Sequence, residues 1–137
     1  MEIKLQRKNK AFHYEAINPD KIVVNIDANA AIGGEGKGVR PMELVLMGLG
    51  GCASIDLGLI LKKQKQELED YQVTITATRK ENVAKTFDAI NLHFLLFGKL
   101  DNEKVEKAIS LTLTKYCSVA LSLSDQIKIT STYTINQ

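Results

Sequence analysis

The chain has no tryptophan, only two prolines and only two cysteines among its 137 residues. Two cysteines exclude a disulfide-stapled scaffold, which needs several bridges in a short chain. Two histidines accompany them. These four residues lack the paired short spacings, such as C-x2-C, that mark a zinc site, so neither a metal nor a cofactor is expected. Neither sign of charge dominates: 18 basic and 16 acidic residues leave a net +2. The basic residues are scattered, so nucleic acid is not expected as a partner. A clean membrane-length apolar run is also missing. The longest apolar stretch, Leu44 to Ile60, is broken by four glycines and Asp56, which is short and interrupted for a span. The first ten residues, MEIKLQRKNK, have no apolar core of the kind an export signal carries. The expectation is therefore no membrane partner and a cytoplasmic location. With no repeat and no low-complexity segment, residues 1–137 fit one domain. At 45% hydrophobic and 25% charged residues the composition is that of an ordinary globular protein.

What the chain does have is the stretch from Arg40 to Lys65, RPMELVLMGLGGCASIDLGLILKKQK. A helix is predicted here over about residues 41–68. Pro41 suits its first turn, where the missing N–H would be unpaired anyway. At about 100° per residue, Leu44, Gly48, Gly51, Cys52, Ile55 and Leu59 share one face. Glycine costs a helix about 1 kcal/mol relative to alanine, so a face carrying two of them is expected to meet another backbone closely.

Around this helix the chain reads as strands in runs. Residues 2–7 and 11–17 alternate apolar and polar, with Lys8-Asn9-Lys10 as a turn between them. Asn18-Pro19-Asp20 is a second turn, and residues 21–27 form a third strand, giving an antiparallel meander. Residues 28–40 are a glycine-rich loop matching neither a phosphate loop nor G-x-G-x-x-G, so it reads as a flexible connection or a cover for the cysteine. Strands are predicted at 71–79 and 86–97, the second ending in a continuous apolar run that suits cover on both faces. Asp101 caps a helix running to Tyr116, Cys117 starts a short helix, and residues 126–135 form the last strand. Strands and helices in runs indicate an α+β fold with antiparallel sheets packed on the long helix. That helix is too apolar for one small chain to cover, and a dimer packing across it is the simple remedy.

Cys52 and Cys117 are 65 residues apart. Taken alone, each reads as a small buried hydrophobe. Their contexts, GLGGCAS and KYCSVALSLS, say more. Here the chain resembles the OsmC/Ohr family of thiol peroxidases, which pair a cysteine on a small-residue helix with a second at the start of a later short helix. Pro41, Gly51, Cys52, Cys117, Ser118 and Leu123 fall where that pattern expects them, and the order of elements fits over the whole chain. The likeness is to an OsmC-like branch whose helix starts with a PMEL-type sequence.

The resemblance implies an intertwined homodimer that reduces organic hydroperoxides with a thiol reductant. Cys52 is then the attacking thiol and Cys117 the resolving one, with Arg40 and Glu43 as supporting residues. It also leaves an alternative: a non-catalytic small-molecule-binding or redox-sensing protein using the same interface pocket. One feature sets this chain apart. The best-known members place an acid directly after the proline, whereas here Met42 stands there and the acid is Glu43. Nine residues before Cys52, Glu43 lies about 180° from it on the helix and reads equally as a first-turn acid favouring the helix dipole. A reacting thiol must also be ionised. Cys52 is in mid-helix, with Asp56 four residues on opposing its ionisation, whereas Cys117 at a helix start has the better position for a lowered pKa. Arg40, Arg7 and Arg79 are the cations available to Cys52. His13, His93 and Asp56 read as structural or polar-face groups, and Tyr116 as aromatic core.

Overall fold

The computed structural model describes residues 1–137. They form two compact units, Met1–Met47 and Gly48–Gln137.

The first unit holds strands β1 (Lys4–Arg7), β2 (Tyr14–Ile17) and β3 (Val23–Ile26), paired antiparallel in the order β1-β2-β3. The predicted meander is present, and side-chain amides set its turns. Asn9 Oδ1 accepts the N–H groups of Ala11 and His13, and Asn18 Oδ1 accepts that of Ile22. The glycine-rich loop is more ordered than its composition implies. Asp27 is buried, and its carboxylate accepts N–H groups from Lys37 and Glu35 at 3.0 Å and from Ala28 at 2.7 Å. The Lys37 N–H contributes most to holding this carboxyl below its usual range. One buried acid thus closes the loop over ten residues of chain.

Helix α1 runs from Pro41 to Lys63. It ends five residues before the predicted limit. Lys65 takes a left-handed conformation (φ 56°), Gln66 N–H bonds to Leu61 O, and Lys65 N–H bonds to Lys62 O. This is a Schellman stop, and lysine occupies the place where glycine usually signals it.

In the second unit, β4 (Glu67–Arg79) and β5 (Phe87–Lys99) form an antiparallel hairpin. Two helices follow, α2 (Asn102–Leu111) and α3 (Ser118–Ser122), and then β6 (Lys128–Asn136). Asp101 caps α2 as predicted, its carboxylate accepting Lys104 N–H at 2.9 Å. The expectation of purely antiparallel sheets needs one correction: β6 pairs parallel to β5. A helical crossover of nearly thirty residues between them is what a parallel pair requires.

The core of this unit is one face of α1 set against the sheet. Leu49, Ala53, Leu57 and Leu61, four residues apart, are fully buried, as are Ile90, Leu92, Phe94 and Leu96 of β5 and Val105 and Ala108 of α2. Leu95 and Phe97, on the other face of β5, are only half-buried. Small residues let α1 sit close. A Cβ on Gly50 would lie 2.4 Å from Ile75 Cδ1, and one on Gly58 would lie 3.3 Å from the Tyr71 hydroxyl, which donates to Ser54 O.

Within the chain, the glycines that let the sheet come close are Gly50 and Gly58, whereas Gly48 and Gly51 lie on the other face of the helix. A Cβ on either of the latter would meet nothing within 4 Å. Their face leaves Ile55 and Leu59 65% and 60% exposed. The reason is geometric: α1 is apolar all round, so a wheel diagram shows two competing apolar faces, and the sheet covers the other one. The broken composition does not interrupt the helix either. At 23 residues with a mean hydropathy of 2.0 in its most apolar window, α1 is long and apolar enough to cross a membrane by those measures. A core helix passes the same test.

Candidate functional site

Cys52 lies in the fourth turn of α1, on the flank between the buried and exposed faces, and is half-buried. Asp56 follows at i+4 and therefore shares its flank. The Cys52 thiol reaches Asp56 Oδ2 at 3.8 Å. Cys117 arrives from the other direction. After α2 the backbone widens into a π-turn over Thr112–Tyr116, closed by Cys117 N–H on Thr112 O at 2.8 Å. Such turns cluster at functional sites. Cys117 then caps α3, its Sγ accepting Ala120 N–H at 3.5 Å. Ser118 Oγ comes within 3.6 Å of Cys52 Sγ. The two sulfurs and a carboxylate oxygen of Asp56 all lie within 4.8 Å of one another. Both thiols are free.

The electrostatics reverse the expectation that Cys117 is the easier thiol to ionise. Cys117 is completely buried, and loss of solvent pushes its thiol up to about 11, against the Ala120 N–H that favours the thiolate. The neighbouring Cys52 pushes in the same upward direction. For Cys52, burial is also the largest single influence and acts upward. The Val119 N–H, the Ser118 hydroxyl, the Cys117 thiol and the Ser118 N–H together outweigh it, and the Cys52 pKa is lowered. A mid-helix position gave Cys52 nothing from its own helix. The donors come from the first turn of α3, a contact between residues 66 apart in sequence that sequence reading could not place.

Arg40 and Glu43 are brought together at the start of α1. Glu43 Oε2 accepts the Arg40 backbone N–H at 2.9 Å, and Glu43 Oε1 pairs with the Arg40 guanidinium at 2.8 Å. The backbone N–H, then the guanidinium, hold the Glu43 carboxyl below its usual range. This is half of a capping box, with the acid at the third helical position reaching back to the residue before the helix. It agrees with the reading of Glu43 as a first-turn acid.

The remaining polar residues sort clearly. His13 Nε2, just before β2, bonds Asn25 Oδ1 of β3, and His93 Nδ1 of β5 bonds Thr132 Oγ1 of β6, each at 2.8 Å. Tyr116 is not core: it is 50% exposed, with Lys115 Nζ 5.3 Å from its ring centre. Sequence reading undervalued Asp56 and Ser118. The i,i+4 spacing of Cys52 and Asp56 was the available signal for the first. For the second, the signal was its place in the family pattern directly after Cys117.

Two free thiols converge between the flank of a core helix and the capped start of a short one in an α+β fold. The chain belongs to the family of OsmC-like proteins, whose model matches residues 34–132. It is 43% identical to Protein YhfA of Escherichia coli K12 over 100 residues, covering 72% of this chain and 75% of that protein. It superposes on a hypothetical protein from Aquifex aeolicus with a TM-score of 0.82 and 28% identity, covering 99% and 97% of the two chains. An organic hydroperoxide resistance protein OsmC from Legionella pneumophila shares the fold, with a TM-score of 0.74, 18% identity, and 98% and 97% coverage.

Proposed function

We propose that the protein is a thiol-dependent peroxidase acting on organic hydroperoxides. One observation carries this: two free thiols lie within 4.8 Å of each other with their ionisation driven in opposite directions. Cys52 is the attacking thiolate. Its sulfur bonds to the outer peroxide oxygen as the O–O bond breaks, and the alkoxide leaves with a proton as the alcohol, giving Cys52 sulfenic acid. The Cys117 sulfur then attacks Cys52 sulfur. The S–S bond forms, the S–O bond breaks, and water leaves. A small or protein dithiol reduces the disulfide and returns both thiols. Until then Cys117 keeps its proton and donates it as a hydrogen bond to the Cys52 thiolate, so the two roles assist each other. Arg40 enters the proposal as the cation supporting turnover, and Glu43 as the residue that holds it.

The working unit in this reading is a homodimer formed by the single domain 1–137 in the cytoplasm. Support comes from the exposed Ile55 and Leu59 beside two glycines with open space above them, a face that soluble chains rarely leave uncovered. Sedimentation at micromolar concentration should give about twice 15.2 kDa. The decisive assay is dithiol-dependent consumption of cumene hydroperoxide against hydrogen peroxide. Faster turnover of the organic substrate is expected. No turnover of either would leave a binding or redox-sensing role, which the presence of Met42 after Pro41 favours.

A further inference from the structure

We infer that Cys52, Asp56 and Cys117 form a reversible site for a thiophilic divalent cation of the zinc type. Cys52 and Asp56 stand at i and i+4 on one flank of α1, the spacing that lets two helix side chains share a metal. Cys117 supplies the third donor from the start of α3. All three donor atoms fall within 4.8 Å of one another. A tetrahedral zinc with sulfur at about 2.3 Å and oxygen at about 2.0 Å needs its donors roughly 3.5 to 3.8 Å apart. The Cys52 Sγ to Asp56 Oδ2 distance is already 3.8 Å.

The charges make the same case. The fold gathers two thiols and a carboxylate at one point. The protein has three ion pairs, Lys4–Glu2, Lys8–Glu15 and Arg40–Glu43, and none includes Asp56. A divalent cation would neutralise the cluster, with soft sulfur donors selecting zinc over magnesium or calcium. Three protein donors leave a fourth position for water or for the Ser118 hydroxyl, which stands 3.6 Å from Cys52 Sγ. An open position marks an exchangeable site, not a closed structural one. The short-spacing rule misses this arrangement because its ligands come from two elements 65 residues apart.

The site uses the residues of the proposed peroxidase but does not depend on that reading. A metal held by both sulfurs denies peroxide access to Cys52, so metal and turnover should exclude each other. The test uses the reduced, metal-free full chain under anaerobic conditions, titrated with Co2+ as a spectroscopic stand-in and then with Zn2+. One Co2+ per chain should give a thiolate-to-cobalt charge-transfer band, and Zn2+ should displace it mole for mole. Cys52→Ser should lose the band. Asp56→Asn should weaken binding by more than the roughly tenfold typical of losing an outer-sphere partner, with the melting temperature of the metal-free chain unchanged. No charge-transfer band, an undiminished band in Cys52→Ser, or equal affinity in Asp56→Asn would each overturn the inference. No hydroperoxide is present, so a chain inert toward peroxides can still bind metal. An active peroxidase that binds none loses only this inference.

Discussion

The flank of α1 that carries Cys52 and the start of α3 that carries Cys117 stand within a few ångströms yet treat a thiol in opposite ways. Cys52 is partly open, and the hydrogen-bond donors of Ser118 and Val119 outweigh its desolvation. Cys117 is sealed off, and the N–H groups of Ala120 and Val119 do not offset that. The lesson is that a helix start lowers a thiol pKa only where the sulfur keeps some solvent or collects several donors. The residue that caps a helix is not always the one its N–H groups serve best. Here α3 serves the neighbour.

The largest effect should come from removing the favoured thiol. Cys52→Ser is expected to reduce turnover of cumene hydroperoxide to the uncatalysed rate, measured by peroxide consumption with excess dithiol. Retained turnover would mean that the contrast between the two thiols has no catalytic consequence.

A pH profile comes next in size. With a chelator present, alkylation of Cys52 by iodoacetamide should reach half its maximal rate at a lower pH than an ordinary cysteine thiol does. Alkylation of Cys117 should rise only toward pH 11. The sign follows from the shifts: a lowered pKa keeps the thiolate present to lower pH, and a raised one delays it. Overlapping profiles would erase the distinction.

A smaller effect isolates the donors. Ser118→Ala removes one hydrogen bond to the Cys52 sulfur, and at 3.6 Å that bond is long. A loss of about fivefold in reaction rate at neutral pH corresponds to roughly 1 kcal/mol. The Cys52 alkylation profile should move to higher pH with it. A slower rate with an unmoved profile would assign Ser118 to substrate contact instead.

The smallest effects compare the two glycine faces of the same helix. Gly50→Ala forces Ile75 Cδ1 to move, which should offset the roughly 1 kcal/mol of helix propensity that alanine adds and leave thermal stability unchanged or lower. Gly51→Ala has open space within the chain. In an isolated protomer it should gain about 1 kcal/mol from helix propensity. In the proposed dimer it should instead lower stability and weaken association. A gain with no change in sedimentation would contradict the dimer.

Much of this arrangement was legible in the chain. Alternation and turn chemistry located all six strands, and Asp101 and Pro41 marked their helix starts. The two cysteine contexts pointed to the site. What was not legible depends on contacts between distant residues or on rule-breaking ones. Lys65 ends α1 in a conformation that glycine usually announces. The parallel pairing of β6 follows from where the helical crossover delivers it. The choice between two apolar faces of α1 was made by Ile75 and Tyr71, which no helix wheel contains. The ionisation order of the thiols rests on the same kind of contact, between α1 and α3.

The central claim is that Cys52 attacks and Cys117 resolves, and mass spectrometry of the two single variants after one equivalent of cumene hydroperoxide tests it most directly. Cys117→Ser should carry sulfenic acid on Cys52, advancing to sulfinic acid with a second equivalent because no thiol is left to resolve it. Cys52→Ser should leave Cys117 unoxidised. Sulfenic acid on Cys117 in Cys52→Ser, with Cys52 unmodified in Cys117→Ser, would contradict the account and reverse the two roles.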